Sequence, residues 1–223
     1  MKKCNGCGKN HSLDNFHNKK SSSDGHSSKC KLCMKEYQVK HYSLNKEVCF
    51  KRNKERRKFL SQKIDELKKN PCKDCGKQYE PFCMDFDHLR DKIMPISKMI
   101  HESFSIEKIK KEIEKCELVC VLCHKDRTHK RLQVKGRKKQ FECYNRNRQI
   151  VILAKNNPCN ICNVKYNYWQ MEFDHLLDKT IDVAHLINGC AEERIHNEIK
   201  KCQLLCAMCH RIKTKLTLWN NSD

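Results

Sequence analysis

The chain has 223 residues, 38% of them hydrophobic by a count that includes 18 cysteines, and a formal net charge of +20. So little aliphatic material excludes one large apolar core and points to small modules stapled by metal or disulfide. No run reaches the length of a membrane span, and the polar start Met1-Lys2-Lys3-Cys4 has no signal-peptide character, so an intracellular protein (cytoplasm or nucleus), not secreted, is expected.

In a reducing compartment, paired Cys-x-x-Cys motifs read as zinc ligands rather than disulfides. Residues 1–36 hold two such knuckles, Cys4/Cys7 and Cys30/Cys33, around a polar loop. Together they supply the four thiolates that tetrahedral zinc requires. Leu13 and Phe16 are the expected mini-core, and His11, His17 and His26 read as surface or packing residues because four cysteines already close the site. Whether this unit is a structural knob or a DNA-contacting ribbon is left open by the spacing. Residues 37–69 contain no Pro or Gly and predict a basic helical linker. Val48, Phe59, Leu60, Ile64 and Leu67 form a partial apolar stripe, and Lys51, Arg52, Lys54, Arg56, Arg57 and Lys58 make the rest cationic.

Pro71 opens the next segment, residues 70–135. Cys72-x-x-Cys75 is a knuckle, and Phe82 to His88 alternates as a strand should. Phe82, Met84 and Phe86 fall on one face, and Cys83, Asp85 and Asp87 on the other. A short helix around residues 96–100 follows, then helical spacing through Ile106, Ile109, Ile113 and Cys116, then a strand at Leu118-Val119-Cys120. Cys123 and His124 open a last helix. Residues 136–156 repeat the basic helical linker, with Arg137 and Lys138 at its start and Phe141, Tyr144, Ile150 and Leu153 as its apolar side. Residues 157–219 then restate the segment 70–135.

The restatement is detailed. Met84-Asp85-Phe86-Asp87-His88 returns as Met171-Glu172-Phe173-Asp174-His175, and Cys120-x-x-Cys123-His124 returns as Cys206-x-x-Cys209-His210. Each copy has its own upstream knuckle, Cys72/Cys75 and Cys159/Cys162. Lys92/Lys179, Lys115/Lys201, Cys116/Cys202 and Thr128/Thr214 recur as well. Four cysteines per copy complete one closed structural zinc, which leaves Asp87, His88 and His124, and likewise Asp174, His175 and His210, outside the zinc shell.

On these residues both copies resemble HNH endonuclease modules of the His-Me finger (ββα-metal) class, in its zinc-bound Asp-His variant, common among phage, bacterial and large-virus proteins. The likeness covers about residues 70–132 and 157–218, and residues 1–36 resemble the small zinc units found ahead of such nucleases. The resemblance implies an α+β fold of small zinc-stabilised modules, with two tandem nuclease domains joined by basic helices. It implies that His88 and His175 are general bases, since an imidazole can take a proton from water near neutral pH. It implies that Asp87 with His124, and Asp174 with His210, hold a catalytic divalent ion. Mg²⁺ or Mn²⁺ suits such ligands, and a softer ion is not excluded by them. The Asn of the family name has no counterpart: Lys115-Cys116 and Lys201-Cys202 stand near its place.

Three tetrathiolate zinc sites, each at −2, would still leave the chain at about +14, so a polyanion is the expected partner, read here as double-stranded DNA. Lys92, Lys179, Arg56, Arg57, Arg137 and Lys138 are the candidate nucleic-acid contacts. The expected activity is metal-dependent phosphodiester hydrolysis. The competing reading is a non-catalytic zinc protein that binds nucleic acid on a degenerate HNH scaffold, although a scaffold would not need Asp-His and Cys-His twice. A linker helix of about 20 residues would hold the two modules about 30 Å apart, so a monomer could address both strands of a duplex.

Overall fold

The computed structural model describes residues 1–134, 142–176 and 178–220. They form helices and four two-stranded antiparallel sheets, an α+β arrangement with three four-cysteine clusters. Among the described residues no helix is long and apolar enough to cross a membrane. The chain divides into two compact units, Met1–Phe59 and Leu60–Asp223.

In the first unit β1 (Lys2–Lys3) pairs with β2 (Asn10–His11) across the Cys4/Cys7 knuckle. A 3-10 turn, Leu13–Asn15, leads into β3 (Phe16–Asn18), which pairs with β4 (His26–Cys30). Helix α1 (Lys31–Leu67) begins at once, so Cys33 sits in its first turn. The helix therefore starts before the predicted residue 37, because the chain must bend between Cys30 and Cys33 to aim both sulfurs at one point. Cys4, Phe16 and Cys30 are the buried core, while Leu13, expected to join it, is 44% exposed. Helical geometry breaks at Asn45 (φ −114°, ψ 16°).

The second unit contains both copies of the repeat. In the first copy a 3-10 turn, Pro81–Cys83, precedes β5 (Met84–His88). The predicted strand began at Phe82, but Pro81 fixes the φ of a tight turn and removes a donor, which delays the strand. Helices α2 (Ile96–His101) and α3 (Ile106–Ile113) are inserted before β6 (Cys116–Cys120), and α4 (Val121–Val134) follows directly. Cys116, read as the end of a helix, instead opens β6, opposite His88. The second copy repeats each step with α5 (Glu142–Ala154), a 3-10 turn at Tyr168–Gln170, β7 (Met171–His175), α6 (Val183–Leu186), α7 (Glu192–Lys200), β8 (Cys202–Cys206) and α8 (Ala207–Asn220). The registers correspond, running from Met84↔Cys120 to His88↔Cys116 and from Met171↔Cys206 to His175↔Cys202.

Each helix read as a linker contributes one or two turns to the core of its copy. Leu60 and Ile64 at the end of α1 are buried against Ile96, Met99 and Ile109, and Val151 of α5 is buried against Val183, Leu186 and Ile195. Burying one such aliphatic side chain is worth about 1.5–3 kcal/mol, enough to fix each helix to its copy. The outer part of the predicted stripe is not used: Val48 is 69% exposed and Leu153 68%. The two copies are also not held apart. Met84, Val119 and Cys120 of one and Met171, Leu205 and Cys206 of the other belong to a single buried cluster.

Candidate metal centres

Each four-cysteine cluster has its sulfurs within 4.8 Å of one another: Cys4, Cys7, Cys30 and Cys33; Cys72, Cys75, Cys120 and Cys123; Cys159, Cys162, Cys206 and Cys209. Zinc–sulfur bonds of about 2.3 Å fit four sulfurs at that spacing. The local backbone is the same three times. The residue after each knuckle bonds back to its first cysteine's carbonyl, at 2.9 Å from Gly8, Gly76 and Asn163. These three adopt positive φ (73°, 69° and 54°), a conformation Gly takes without strain and Asn tolerates. The next link is also repeated: Asn5, Lys73 and Asn160 donate to Ser28, Leu118 and Leu204, each at 2.9 Å. Gly6 is required in the first cluster, where a Cβ would stand 2.7 Å from the Cys33 Cβ. Backbone N–H groups point at the sulfurs, as Cys30 and Gly6 do at Cys4 Sγ (3.1 and 3.2 Å). The Cys30 N–H above all brings the Cys4 thiol down to about 6, favouring the thiolate that binds metal. His11, read as a surface residue, lies 3.3 Å from Cys7 Sγ.

The first unit is thus a third copy of the knuckle, turn, hairpin and helix. It lacks the inserted helices, and it lacks the Asp-His and Cys-His residues.

Alternation along β5 sends Asp85 and Asp87 toward α4 and leaves Phe86 and His88 toward α2 and α3. The structure brings Asp87 and His124 together: Asp87 Oδ1 lies 3.5 Å from His124 Nε2. Asp174 Oδ1 and His210 Nε2 are also 3.5 Å apart. Behind each imidazole stands a second carboxylate that sequence reasoning missed. His124 Nδ1 is 2.9 Å from Asp85 Oδ2, and His210 Nδ1 is 2.6 Å from Glu172 Oε2. Burial would raise the Asp85 carboxyl, but the hydrogen bonds from His124 and Arg211 outweigh it and bring it down to about 2. Glu172 is lowered on the same balance, by Lys125 and His210. An ionised carboxylate only accepts, so Nδ1 carries the proton and the neutral ring's lone pair is on Nε2. Each centre therefore aims two acceptors at each other, a repulsive arrangement unless a cation or a second proton lies between them.

The surroundings of the two aspartates differ. Asp87 is 3% exposed and takes Arg131 at 2.8 Å on Oδ1 and 2.6 Å on Oδ2, with Arg127 at 3.1 Å on Oδ2. Arg127 is shared with Asp74 and Glu117. Asp174 takes Lys213 (2.5 Å) and Gln203 (2.8 Å), both on Oδ2. Burial opposes ionisation at both, and these donors reverse it, so both carboxyls are lowered.

His88 and His175 are turned to partners of their own. His88 Nε2 lies 3.0 Å from Glu112 Oε1, and His175 Nε2 lies 3.0 Å from Glu198 Oε1. Glu112 and Glu198, only 2% and 3% exposed, sit on the apolar faces of α3 and α7. Glu112 also accepts from Ile93 N (2.8 Å) and Lys115 Nζ (2.8 Å). Burial pushes its carboxyl up, but Lys115, the Ile93 N–H and His88 together bring it down to about 2. Glu198 is lowered chiefly by the Thr180 hydroxyl and Lys201. The carboxylate again fixes the proton on Nε2 and leaves Nδ1 as the imidazole's acceptor. Sequence reasoning missed both glutamates; the signal that could have found them is a Glu repeated at the offset of the copies, set between Ile109 and Ile113 and between Ile195 and Ile199.

A cleft of about 860 Å³ opens on the first centre, lined by His88, Lys92, Asp85, His124 and Thr128 of the first copy and by Trp169, Glu172 and Arg211 of the second. Lys179 is exposed and paired to Asp182 at 2.7 Å. Arg56 and Arg57 are exposed on α1 and belong to the first unit. Arg137 and Lys138 lie outside the described residues. Among the described residues the only groups of three or more close metal-type ligands are the cysteine clusters, so each Asp–His centre offers two protein donors. The chain matches no family model, no curated protein and no solved structure.

Proposed function

We propose that the second unit is a metal-dependent DNA endonuclease of the HNH type, with two centres in one chain. The observation that carries this reading is the pair of facing acceptors, Asp87 Oδ1 with His124 Nε2 and Asp174 Oδ1 with His210 Nε2, each with the imidazole's other nitrogen fixed by a carboxylate. Metal-binding histidines characteristically donate their second N–H in this way. Asp87 with His124, and Asp174 with His210, would hold Mg²⁺ or Mn²⁺, and the bound ion would stabilise charge on the scissile phosphate and the departing oxygen. The remaining shell would be water and phosphate oxygens.

His88 and His175 take the proton from the attacking water on Nδ1. Glu112 and Glu198 hold the rings by Nε2 and stabilise the imidazolium that results. They fill the place for which the family's Asn has no counterpart. Lys92 and Arg211 give the cleft positive charge suited to a phosphodiester. Zinc at the three cysteine clusters is structural, because four thiolates leave no open position.

The second reading, a non-catalytic nucleic-acid-binding protein, draws support from one observation: both oxygens of Asp87 are already bound by guanidinium groups. Incubation of the zinc-loaded chain with supercoiled plasmid separates the two. Nicked and then linear product that requires Mn²⁺ or Mg²⁺ is expected. Binding that retards the plasmid but leaves it supercoiled with either ion favours the second reading.

A further inference from the structure

The residue after each candidate metal-binding histidine reaches into the other copy. Arg211, next to His210, donates to Asp85 of the first copy through Nη1 (2.9 Å) and Nη2 (2.8 Å), and Nη1 also reaches the Phe82 carbonyl at 3.2 Å. Lys125, next to His124, pairs with Glu172 of the second copy at 2.7 Å. Asp85 and Glu172 are the two carboxylates that hold the Nδ1 atoms of His124 and His210. The contacts therefore close a ring: His124, Asp85, Arg211, its neighbour His210, Glu172, Lys125, and back to His124. The reciprocity is that of a two-fold interface, in which residue i meets j′ and j meets i′, here built inside one chain. Asp85 is partly exposed; its side-chain hydrogen-bond partners among the described residues are His124 of its own copy and Arg211 of the second, with Lys68 acting on it through charge alone, so the two-pronged guanidinium of the second copy fixes its rotamer.

We propose that each copy positions the metal-binding histidine of the other: Arg211 sets His124 through Asp85, and Lys125 sets His210 through Glu172. Arg211 and Lys125 are positioning residues, and neither centre is complete within its own repeat. The inference rests on the metal centres proposed above.

The test uses the full zinc-loaded chain. Repeat 2 is silenced by Asp174→Asn with His210→Ala, so that Mn²⁺ titration reads the first centre alone. Adding Arg211→Gln should weaken Mn²⁺ binding by about 10- to 100-fold, the usual cost of losing an outer partner of a metal ligand. Zinc content and circular dichroism should stay unchanged, so that lost affinity is not lost fold. Arg211→Lys should recover most of the affinity, since an ammonium does the same work at Glu172. Unchanged Mn²⁺ affinity in the folded Arg211→Gln variant would overturn the proposal. If the parent binds no Mn²⁺, the metal reading fails for the first centre, and the positioning is decided by ¹⁵N spectra of the wild-type and Arg211→Gln chains. A His124 proton held on Nδ1 only when Arg211 is present sustains it; the same tautomer in both sinks it.

Discussion

The two repeats of the second unit have the same frame and differently charged centres. In the first, Asp87 is enclosed by Arg127 and Arg131, with Asp74 and Glu117 as outer partners. In the second, Lys213 stands for Arg127, Thr217 for Arg131, Gln203 for Glu117 and Ile161 for Asp74. Two guanidiniums on one carboxylate satisfy it without a metal and repel a divalent ion. One ammonium and one amide, both on Oδ2, leave Asp174 Oδ1 turned to His210. On the proposed reading the second centre is therefore better suited to a metal, while the cleft opens on the first. The difference teaches that the cysteine frame supports a centre without fixing its charge.

The largest effect tests what the repeats share. Their cysteines and inner strands belong to one buried cluster, so Cys72→Ser and Cys159→Ser should each unfold both repeats. Zinc in such small sites supplies folding free energy of about 10 kcal/mol or more. Cys4→Ser should lose one zinc and leave the second unit folded, because its cluster lies wholly in residues 1–59. Zinc analysis with limited proteolysis reads the outcome. A Cys159→Ser chain that keeps a protease-resistant first repeat would show the repeats to be separate folding units.

Catalytic substitutions come next. His175→Ala should remove most plasmid cleavage and His88→Ala less of it, with only nicking left in either, and the double variant should bind without cutting. Losing a general base costs about 10²–10⁴-fold. Glu112→Gln and Glu198→Gln should each follow the histidine of their own repeat, because an amide no longer dictates the tautomer. Equal losses from His88→Ala and His175→Ala would remove the functional side of the comparison.

Charge exchange should then sharpen it. Arg131→Thr should tighten Mn²⁺ at the first centre, and Thr217→Arg should weaken it at the second. Arg131 is 46% exposed, so solvent screening leaves about 1–2 kcal/mol of the interaction, on the order of tenfold in affinity. Shifts in the same direction in both variants would mean that local charge does not set the difference.

Much of this was legible in the sequence, for identifiable reasons. The twelve zinc-type cysteines follow from spacing, because metal geometry demands pairs on tight turns. The pairing of Asp87 with His124 was implied by the resemblance, and strand alternation with a helix that begins at a cysteine cluster is what brings the two together. The kinship of residues 1–36 to the repeats was hidden, since a short loop between β3 and β4 replaces two helices and both chemical signatures. Glu112 was hidden because a lone Glu on an apolar helix face reads as a break in the pattern, not as a partner. Asp85 and Glu172 differ in type, so comparing the copies passed over them. The linker reading failed because Leu60, Ile64 and Val151 show only a few apolar positions in a strongly basic stretch, and their burial depends on helices far along the chain.

The smallest expected difference concerns Lys92 and Lys179, which occupy the same place in the two repeats. Lys92 lines the cleft, with no ion pair among the described residues, while Lys179 is tied to Asp182 at 2.7 Å. A lysine that meets phosphate releases a counterion, so Lys92→Ala should weaken DNA binding severalfold and lower the slope of log affinity against log salt by about one. The exposed Lys179–Asp182 pair adds little to the fold because water screens it, and that partner must be released before Lys179 meets DNA. Lys179→Ala should then change affinity by less than Lys92→Ala and leave the slope nearly as it was. Asp182→Ala should raise affinity slightly, since it frees the ammonium. Affinities measured across a salt series for the three variants decide it: if Lys179→Ala lowers the slope as much as Lys92→Ala, the two lysines contact phosphate alike, and the asymmetry of the repeats ends at their metal centres.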